Sequence, residues 1–261
     1  MDRMFDEVFV RPPGRNYFRC KTTNPAGEDI DLTLARKQHA EYVSILRESG
    51  IAVNTLSPSD ELPDAVFMED VGLLVSDIAI IGRFGEPSRR GEEEVLLRDL
   101  GRKFQTRRIV PNGTLEGGDI LVTEHAVFVG LSSRTNEEGI RQLKSHLSNL
   151  ELKPVPTRLM HLLSGVTYLT ERMLVICPSH VQESSFPGFE FIKIPQEELY
   201  AANTLYLGDN KVLIPQGYPK TRAKLTEGGF EPIELNISEF WKGDGALTCL
   251  SLPVHRIEPR G

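Results

Sequence analysis

Asp70-Val71-Gly72-Leu73-Leu74-Val75, the polar pair Ser76-Asp77, then Ile78-Ala79-Ile80-Ile81-Gly82: this stretch reads as an apolar strand, a turn and a second apolar strand. The same phrase returns three times. Asp119-Ile120-Leu121-Val122 turns at Thr123-Glu124-His125 into Ala126-Val127-Phe128-Val129-Gly130. Gly165-Val166-Thr167-Tyr168-Leu169 turns at Thr170-Glu171-Arg172 into Met173-Leu174-Val175-Ile176. Asn203-Thr204-Leu205-Tyr206-Leu207 turns at Gly208-Asp209-Asn210 into Lys211-Val212-Leu213-Ile214. A fifth apolar strand, Leu250-Ser251-Leu252-Pro253-Val254, has no second half behind it. Its natural partner is the N-terminal Val8-Phe9-Val10-Arg11. First strands begin near residues 70, 119, 165, 203 and 249, a repeat length that signifies modular architecture.

Helical spacing fills the gaps over 31–49, 89–101, 135–150 and 220–228. In the first, Leu34, His39, Tyr42, Val43 and Leu46 fall largely on one face, and Gly50 is a plausible stop. Thr135 with Glu138 three residues on is a capping-box signature. A further extended piece follows each helix, at 51–53, 108–110, 154–156 and 230–233. The pattern predicts an α/β fold of five ββαβ-type modules closed into a ring. No Gly/Ser linker or charge run divides the chain, so residues 1–261 read as one domain. Asp70, Asp119, Ser164, Asn203 and Cys249 all stand at or beside the start of a first strand, and a ring brings such equivalent positions to its axis.

The remaining composition excludes more than it selects. A net charge of −7 argues against a broad nucleic-acid footprint, which needs clustered Lys and Arg. No apolar run approaches the ~20 residues of a bilayer span. Three cysteines without close spacing make neither a disulfide framework nor a zinc knuckle, so a reducing cytoplasm is expected. Neither a Walker-type nor a dinucleotide glycine pattern occurs, so no nucleotide cofactor is expected. A homodimer is left open.

Several polar residues interrupt apolar surroundings. Asp64, Glu69 and Asp70 lie within Leu62-Pro63-Asp64-Ala65-Val66-Phe67-Met68-Glu69-Asp70. On one regular strand Asp64 and Asp70 would share a face, and clustered carboxylates suit a planar guanidinium as well as they suit a surface edge. Arg89 lies where a helix is predicted to begin, and Arg134 ends a strand before the next helix. With helix N-terminal amides the two would make a carboxylate clamp. Glu116 precedes Gly117-Gly118, His161 opens an apolar run, and Cys249 follows an Asp244-Gly245 turn. Cysteine, histidine and carboxylate far apart in sequence are what a folded thiol nucleophile with a proton-transfer partner requires.

Leu62–Asp70, Pro87-Ser88-Arg89-Arg90, Leu115-Glu116-Gly117-Gly118-Asp119-Ile120-Leu121, Val129–Asn136, His161-Leu162-Leu163-Ser164-Gly165, Tyr200-Ala201-Ala202-Asn203 and Asp244–Cys249 together resemble the dimethylarginine dimethylaminohydrolase family of the guanidine-modifying pentein superfamily. The resemblance runs in order from about residue 8 to residue 254. It implies a five-bladed α/β propeller, agreeing with the repeat. It also implies Cys249 as nucleophile, His161 as proton-transfer residue, and Glu116 and Asp70 binding the guanidinium with help from Asp64 and Glu69. Arg89 and Arg134 would take the substrate α-carboxylate. The carbonyl of Gly243 would take the α-amino group at a position where other members carry an apolar residue, and Asp244 beside it is counted with the substrate-binding residues. A mobile loop is expected around Tyr17–Asn24, where Tyr17-Phe18-Arg19-Cys20-Lys21 departs from the family pattern.

The implied reaction converts asymmetric dimethylarginine or monomethylarginine to citrulline and an alkylamine through a covalent thiouronium. The implied partner is that small molecule, with no metal or organic cofactor. Arginine deiminase-type hydrolysis of free arginine is the nearest alternative, followed by amidinotransfer. A non-catalytic pentein that binds without chemistry is an alternative of another class.

Overall fold

In a computed structural model describing residues 3–148 and 150–256, the recurring hairpins become five three-stranded units. Chain order begins with β1 (Phe5–Val10), helix α1 (Leu32–Glu48) and β2 (Ala52–Thr55). The first complete unit is β3 (Gly72–Val75), β4 (Ile78–Ile81), α2 (Glu92–Leu100) and β5 (Gln105–Arg108). The second is β6 (Ile120–Val122), β7 (Val127–Leu131), α3 (Glu137–His146) and β8 (Leu152–Pro156). The third is β9 (Val166–Thr170), β10 (Met173–Ile176) and β11 (Glu190–Lys193). The fourth is β12 (Leu205–Gly208), β13 (Lys211–Pro215), α4 (Pro219–Glu227) and β14 (Glu231–Leu235), after which α5 (Ser238–Trp241) leads to β15 (Ser251–His255).

One pairing rule generates every unit: the first strand is antiparallel to the second, and the second is parallel to the third, as in β3–β4–β5 and β6–β7–β8. The last unit obeys it with strands from both chain ends. Val10 pairs with Ser251 and Val8 with Pro253 across antiparallel β1–β15, while β1 runs parallel to β2. β15 also pairs parallel with β3, joining the closing unit to the opening one in a six-stranded sheet. β9 contacts both β6 and β12 at the axis. The result is a five-bladed α/β propeller.

Local chemistry accounts for the outer layer. Asp31 caps α1 by accepting from the Thr33 and Leu34 amides, and Ala35, Gln38, His39, Tyr42, Val43 and Leu46 form its buried face. α2 starts at Glu92 rather than at residue 89, because Gly91 takes a positive φ of 119° and breaks the helical path. Asn136, not Thr135, caps α3 by accepting from the Gly139 amide. Thr135 is buried and accepts instead from the Glu116 amide, and Glu138 pairs with Arg141. α3 ends at His146, so the predicted stretch to 150 is too long; position 149 lies outside the described residues. The third unit has no outer helix, and its β11 went unpredicted because that sequence stretch carries no matching helix before it.

Before each first strand the chain makes a tight 3₁₀ turn: Met68–Val71, Gly117–Asp119, Leu162–Ser164, Gln196–Ala202 and Thr248–Leu250. These turns form a collar around the axis. The Met68–Val71 turn touches both the Gly117–Asp119 and Thr248–Leu250 turns, and the Leu162–Ser164 turn touches those at Gly117–Asp119 and Gln196–Ala202. Asn203 completes the circle, donating to the Leu163 carbonyl and Thr248 Oγ1 while accepting from the Thr248 amide.

Candidate active site

Most of the polar residues singled out by sequence surround one pocket, though Glu69 and Glu116 are not in its lining. Its lining includes Asp64, Asp70, Arg89, Arg134, His161, Gly243, Asp244 and Cys249. No regular strand runs through residues 64–70; two 3₁₀ turns, Pro63–Val66 and Met68–Val71, occupy them. Strand alternation therefore does not govern these carboxylates, and each faces a different partner.

Glu116 has no exposed surface. Its Oε2 lies 2.9 Å from His161 Nε2, its Oε1 accepts from the Gly85 amide at 3.0 Å, and Arg134 Nη1 stands 3.6 Å away. His161 Nδ1 is 3.7 Å from Asp70 Oδ1. The close approach depends on Gly118, where a Cβ would meet His161 Nδ1 at 2.7 Å and Asp70 Oδ1 at 3.0 Å. Burial alone would lower the His161 pKa, but Asp70, the Glu116 bond and Asp119 outweigh it and push it up to about 9. Asp70 moves the other way: burial is overcome by His161 and Arg89, and its carboxyl titrates below the usual range.

Cys249 is half-buried and carries a free thiol. Its donor atom and those of Glu69 and Asp70 lie within 4.8 Å of one another. Burial, then Asp70 and Glu69, push the thiol well above its ordinary pKa, so the resting sulfur holds its proton. Glu69, raised to about 8 by burial, also holds a proton at neutral pH and accepts a 2.6 Å bond from Thr248 Oγ1.

Glu69–Asp70–Cys249 and Asp70–Glu116–His161 are both compact enough to present three donors to a cation. In each, protons already occupy donor atoms: the thiol and Glu69 in one, the imidazolium in the other. Metal binding there would have to displace those protons.

Arg89 is paired within the protein. Its Nε and Nη2 grip Glu92 at 3.0 and 2.9 Å, its Nη1 holds Asp70 Oδ2 at 2.6 Å, and it stacks 4.3 Å from the Phe84 ring centroid. A buried carboxylate at Glu92 demands a paired cation, so the guanidinium fork is spent inside the protein. Arg89 still lines the pocket beside Arg134, with its fork paired to Glu92 and Asp70. Arg134 Nη1 and Asp70 Oδ1 are buried polar atoms without a hydrogen bond among the described residues.

Asp64 and Asp244 line the pocket and also hold a neighbouring loop. Asp64 accepts from the Lys21 amide through both oxygens, at 3.0 and 3.2 Å. Asp244, at a positive φ of 58°, accepts from the Thr23 amide and, at 2.9 Å, from its hydroxyl. Both carboxylates fasten the 17–24 loop over the pocket. At Gly243 a Cβ would meet Cys20 Sγ and Tyr17 Oη, each at 2.9 Å, so the residues that depart from the family pattern fill the space beside the missing side chain.

Thr248, Glu92, Phe67 and Met160 are site residues that sequence reasoning missed. Glu92 had a signal, standing three residues after Arg89 on a predicted helix. Thr248 adjoins Cys249 in a motif read for its sulfur alone.

A family model described as "N,N dimethylarginine dimethylhydrolase, eukaryotic" matches residues 14–256. The chain belongs to the dimethylarginine dimethylaminohydrolase family. It is 37% identical to the N(G),N(G)-dimethylarginine dimethylaminohydrolase of Pseudomonas aeruginosa over 95% of this chain and 99% of that one. The Streptomyces coelicolor protein of the same name is 32% identical over 96% and 98%. A solved structure of the P. aeruginosa dimethylarginine dimethylaminohydrolase, a cysteine-to-serine variant complexed with citrulline, superposes with a TM-score of 0.90 at 36% identity, covering 96% of this chain and all of the other. Dimethylarginine dimethylaminohydrolases are hydrolases that act on C–N bonds, and this chain is one of that class. Among the described residues no helix is long and apolar enough to cross a membrane.

Proposed function

We propose that this protein hydrolyses asymmetric dimethylarginine or monomethylarginine to citrulline and dimethylamine or methylamine, with Cys249 as nucleophile. The observation that carries the reading is the pair of unbonded buried atoms. Asp70 Oδ1 suits a guanidinium N–H, Arg134 Nη1 suits a carboxylate oxygen, and Cys249 lines the same pocket. An amino acid bearing a guanidinium supplies both partners at once. Glu116, bonded to His161 Nε2, holds the imidazolium beside that cation.

The protons balance through the cycle. A guanidinium beside Asp70 counters the carboxylates that hold up the thiol pKa, so substrate binding releases the Cys249 proton to solvent. The thiolate attacks the guanidinium carbon. The His161 imidazolium passes its proton to the departing alkylamine nitrogen, the C–N bond breaks, and a thiouronium remains on Cys249. Neutral His161 then takes a proton from water as its oxygen attacks that carbon. The C–S bond breaks, the intermediate's hydroxyl proton returns to sulfur, and citrulline leaves. A free thiol of this kind suits a reducing compartment such as the cytoplasm.

Incubation with monomethylarginine, asymmetric dimethylarginine and arginine, assaying citrulline and the amine released, tests the reading. Citrulline with methylamine or dimethylamine is the expected result. Ammonia from arginine alone would move the assignment to arginine hydrolysis. No product from any of the three would overturn it.

A further inference from the structure

Asp119 has no exposed surface, lies outside the pocket lining and takes no part in the chemistry above. Its two oxygens nevertheless reach two different parts of the site. Oδ1 accepts from the Leu162 amide at 2.9 Å, the peptide that follows His161. Oδ2 accepts from Ser132 Oγ at 2.7 Å, and that hydroxyl oxygen in turn accepts from the Arg134 and Thr135 amides at 3.0 and 3.1 Å. The neighbouring backbone is shaped around this carboxylate, for a Cβ on Gly130 would meet Asp119 Oδ1 at 2.4 Å.

We propose that Asp119 is a positioning residue that ties the turn carrying His161 to the turn carrying Arg134, fixing the distance between the proton donor and the carboxylate receptor. This rests on the roles proposed above for those two residues. A substrate held at one end by Arg134 presents its reacting nitrogen to His161 only if that separation is constant, and a buried carboxylate with filled oxygens is a stiff spacer. Asp119 also adds negative charge near the imidazolium. The other charged or titratable groups around His161 are Glu69 and Asp70 from the first turn, Glu116 from its own turn, Arg134 after β7, Cys249 before β15, and Arg89 acting through Asp70.

Two variants separate the links. Asp119→Asn keeps an acceptor for the Leu162 amide but removes the charge and sets an NH2 group against Ser132. Ser132→Ala cuts the links to the Arg134 and Thr135 amides and leaves the Leu162 bond and the Asp119 charge in place. Both should raise KM for the methylated arginine about tenfold. In a Cys249→Ser background, where no turnover intervenes, NMR titration of His161 should show its pKa about one unit lower with Asp119→Asn and unchanged with Ser132→Ala. A folded Asp119→Asn protein with unmoved KM and titration would overturn the proposal. Should that variant fail to fold, unchanged KM in Ser132→Ala overturns it instead. A failed functional reading is distinguishable, because the unaltered chain would then lack turnover while the His161 titration still reports on Asp119.

Discussion

Thr248 Oγ1 donates a 2.6 Å hydrogen bond to Glu69 Oε2, linking residues 179 positions apart in the chain. The bond joins the turn that starts the last blade to the turn that starts the first, directly beneath Cys249. Ring closure and site assembly are thus one event.

Loss of the sulfur tests the proposed nucleophile. Cys249→Ser should reduce turnover by about 10³-fold or more, since a hydroxyl is a far weaker nucleophile near neutral pH. Circular dichroism and the thermal midpoint should stay close to those of the unaltered protein. A fully active serine variant would refute the assignment.

His161→Ala separates the two halves of the reaction. With methylated arginine the variant lacks both the proton donor for the amine and the group that activates water, so turnover should fall at least about 10²-fold. With an S-alkyl thiocitrulline analogue, whose thiolate departs unprotonated, the thiouronium should still form, accumulate and appear by intact mass as a covalent adduct on Cys249. Normal turnover with no adduct counts against the proton-transfer role.

The two arginines should respond in opposite ways. Arg134→Met removes a donor that stands 3.6 Å from Glu116 but makes no hydrogen bond, and should raise KM at least about tenfold with a smaller loss of stability than the Arg89 variant. Arg89→Met strands Glu92 and Asp70 as buried carboxylates and should cost roughly 3 kcal/mol in urea unfolding. Equal stability for both variants would contradict the structural pairing of Arg89 with Glu92.

Glu69 should leave a pH signature on stability. Its folded pKa, about 8, stands above the ordinary 4.5, so the native protein keeps a proton that the unfolded chain releases. The associated stability is complete below about pH 4.5 and declines as pH rises towards about 8. Glu69→Gln retains an acceptor for Thr248 and removes that decline, so the variant should gain up to about 5 kcal/mol relative to the parent at pH 8.5 and little at pH 4. Parallel thermal midpoints across that range would show that Glu69 ionises normally.

Sequence by itself determined the blades. Strand–turn–strand phrases such as Asp119–Gly130 are local and periodic, and a terminal strand lacking a second half, Leu250–Val254, pointed to Val8–Arg11 as its partner. It also pointed Asp70, Asp119, Ser164, Asn203 and Cys249 towards one axis, because equivalent positions in repeated units converge, but it gave no sign of Thr248 or Met160. Only the tertiary structure decided what each charged group is bonded to. Sequence does not specify that Arg89 pairs with the buried Glu92, or that Asp64 and Asp244 accept from the amides of Lys21 and Thr23. Backbone periodicity is written residue by residue along the chain. The pairing of a charge depends instead on which partners are desolvated beside it, and those partners come from turns tens to hundreds of residues away.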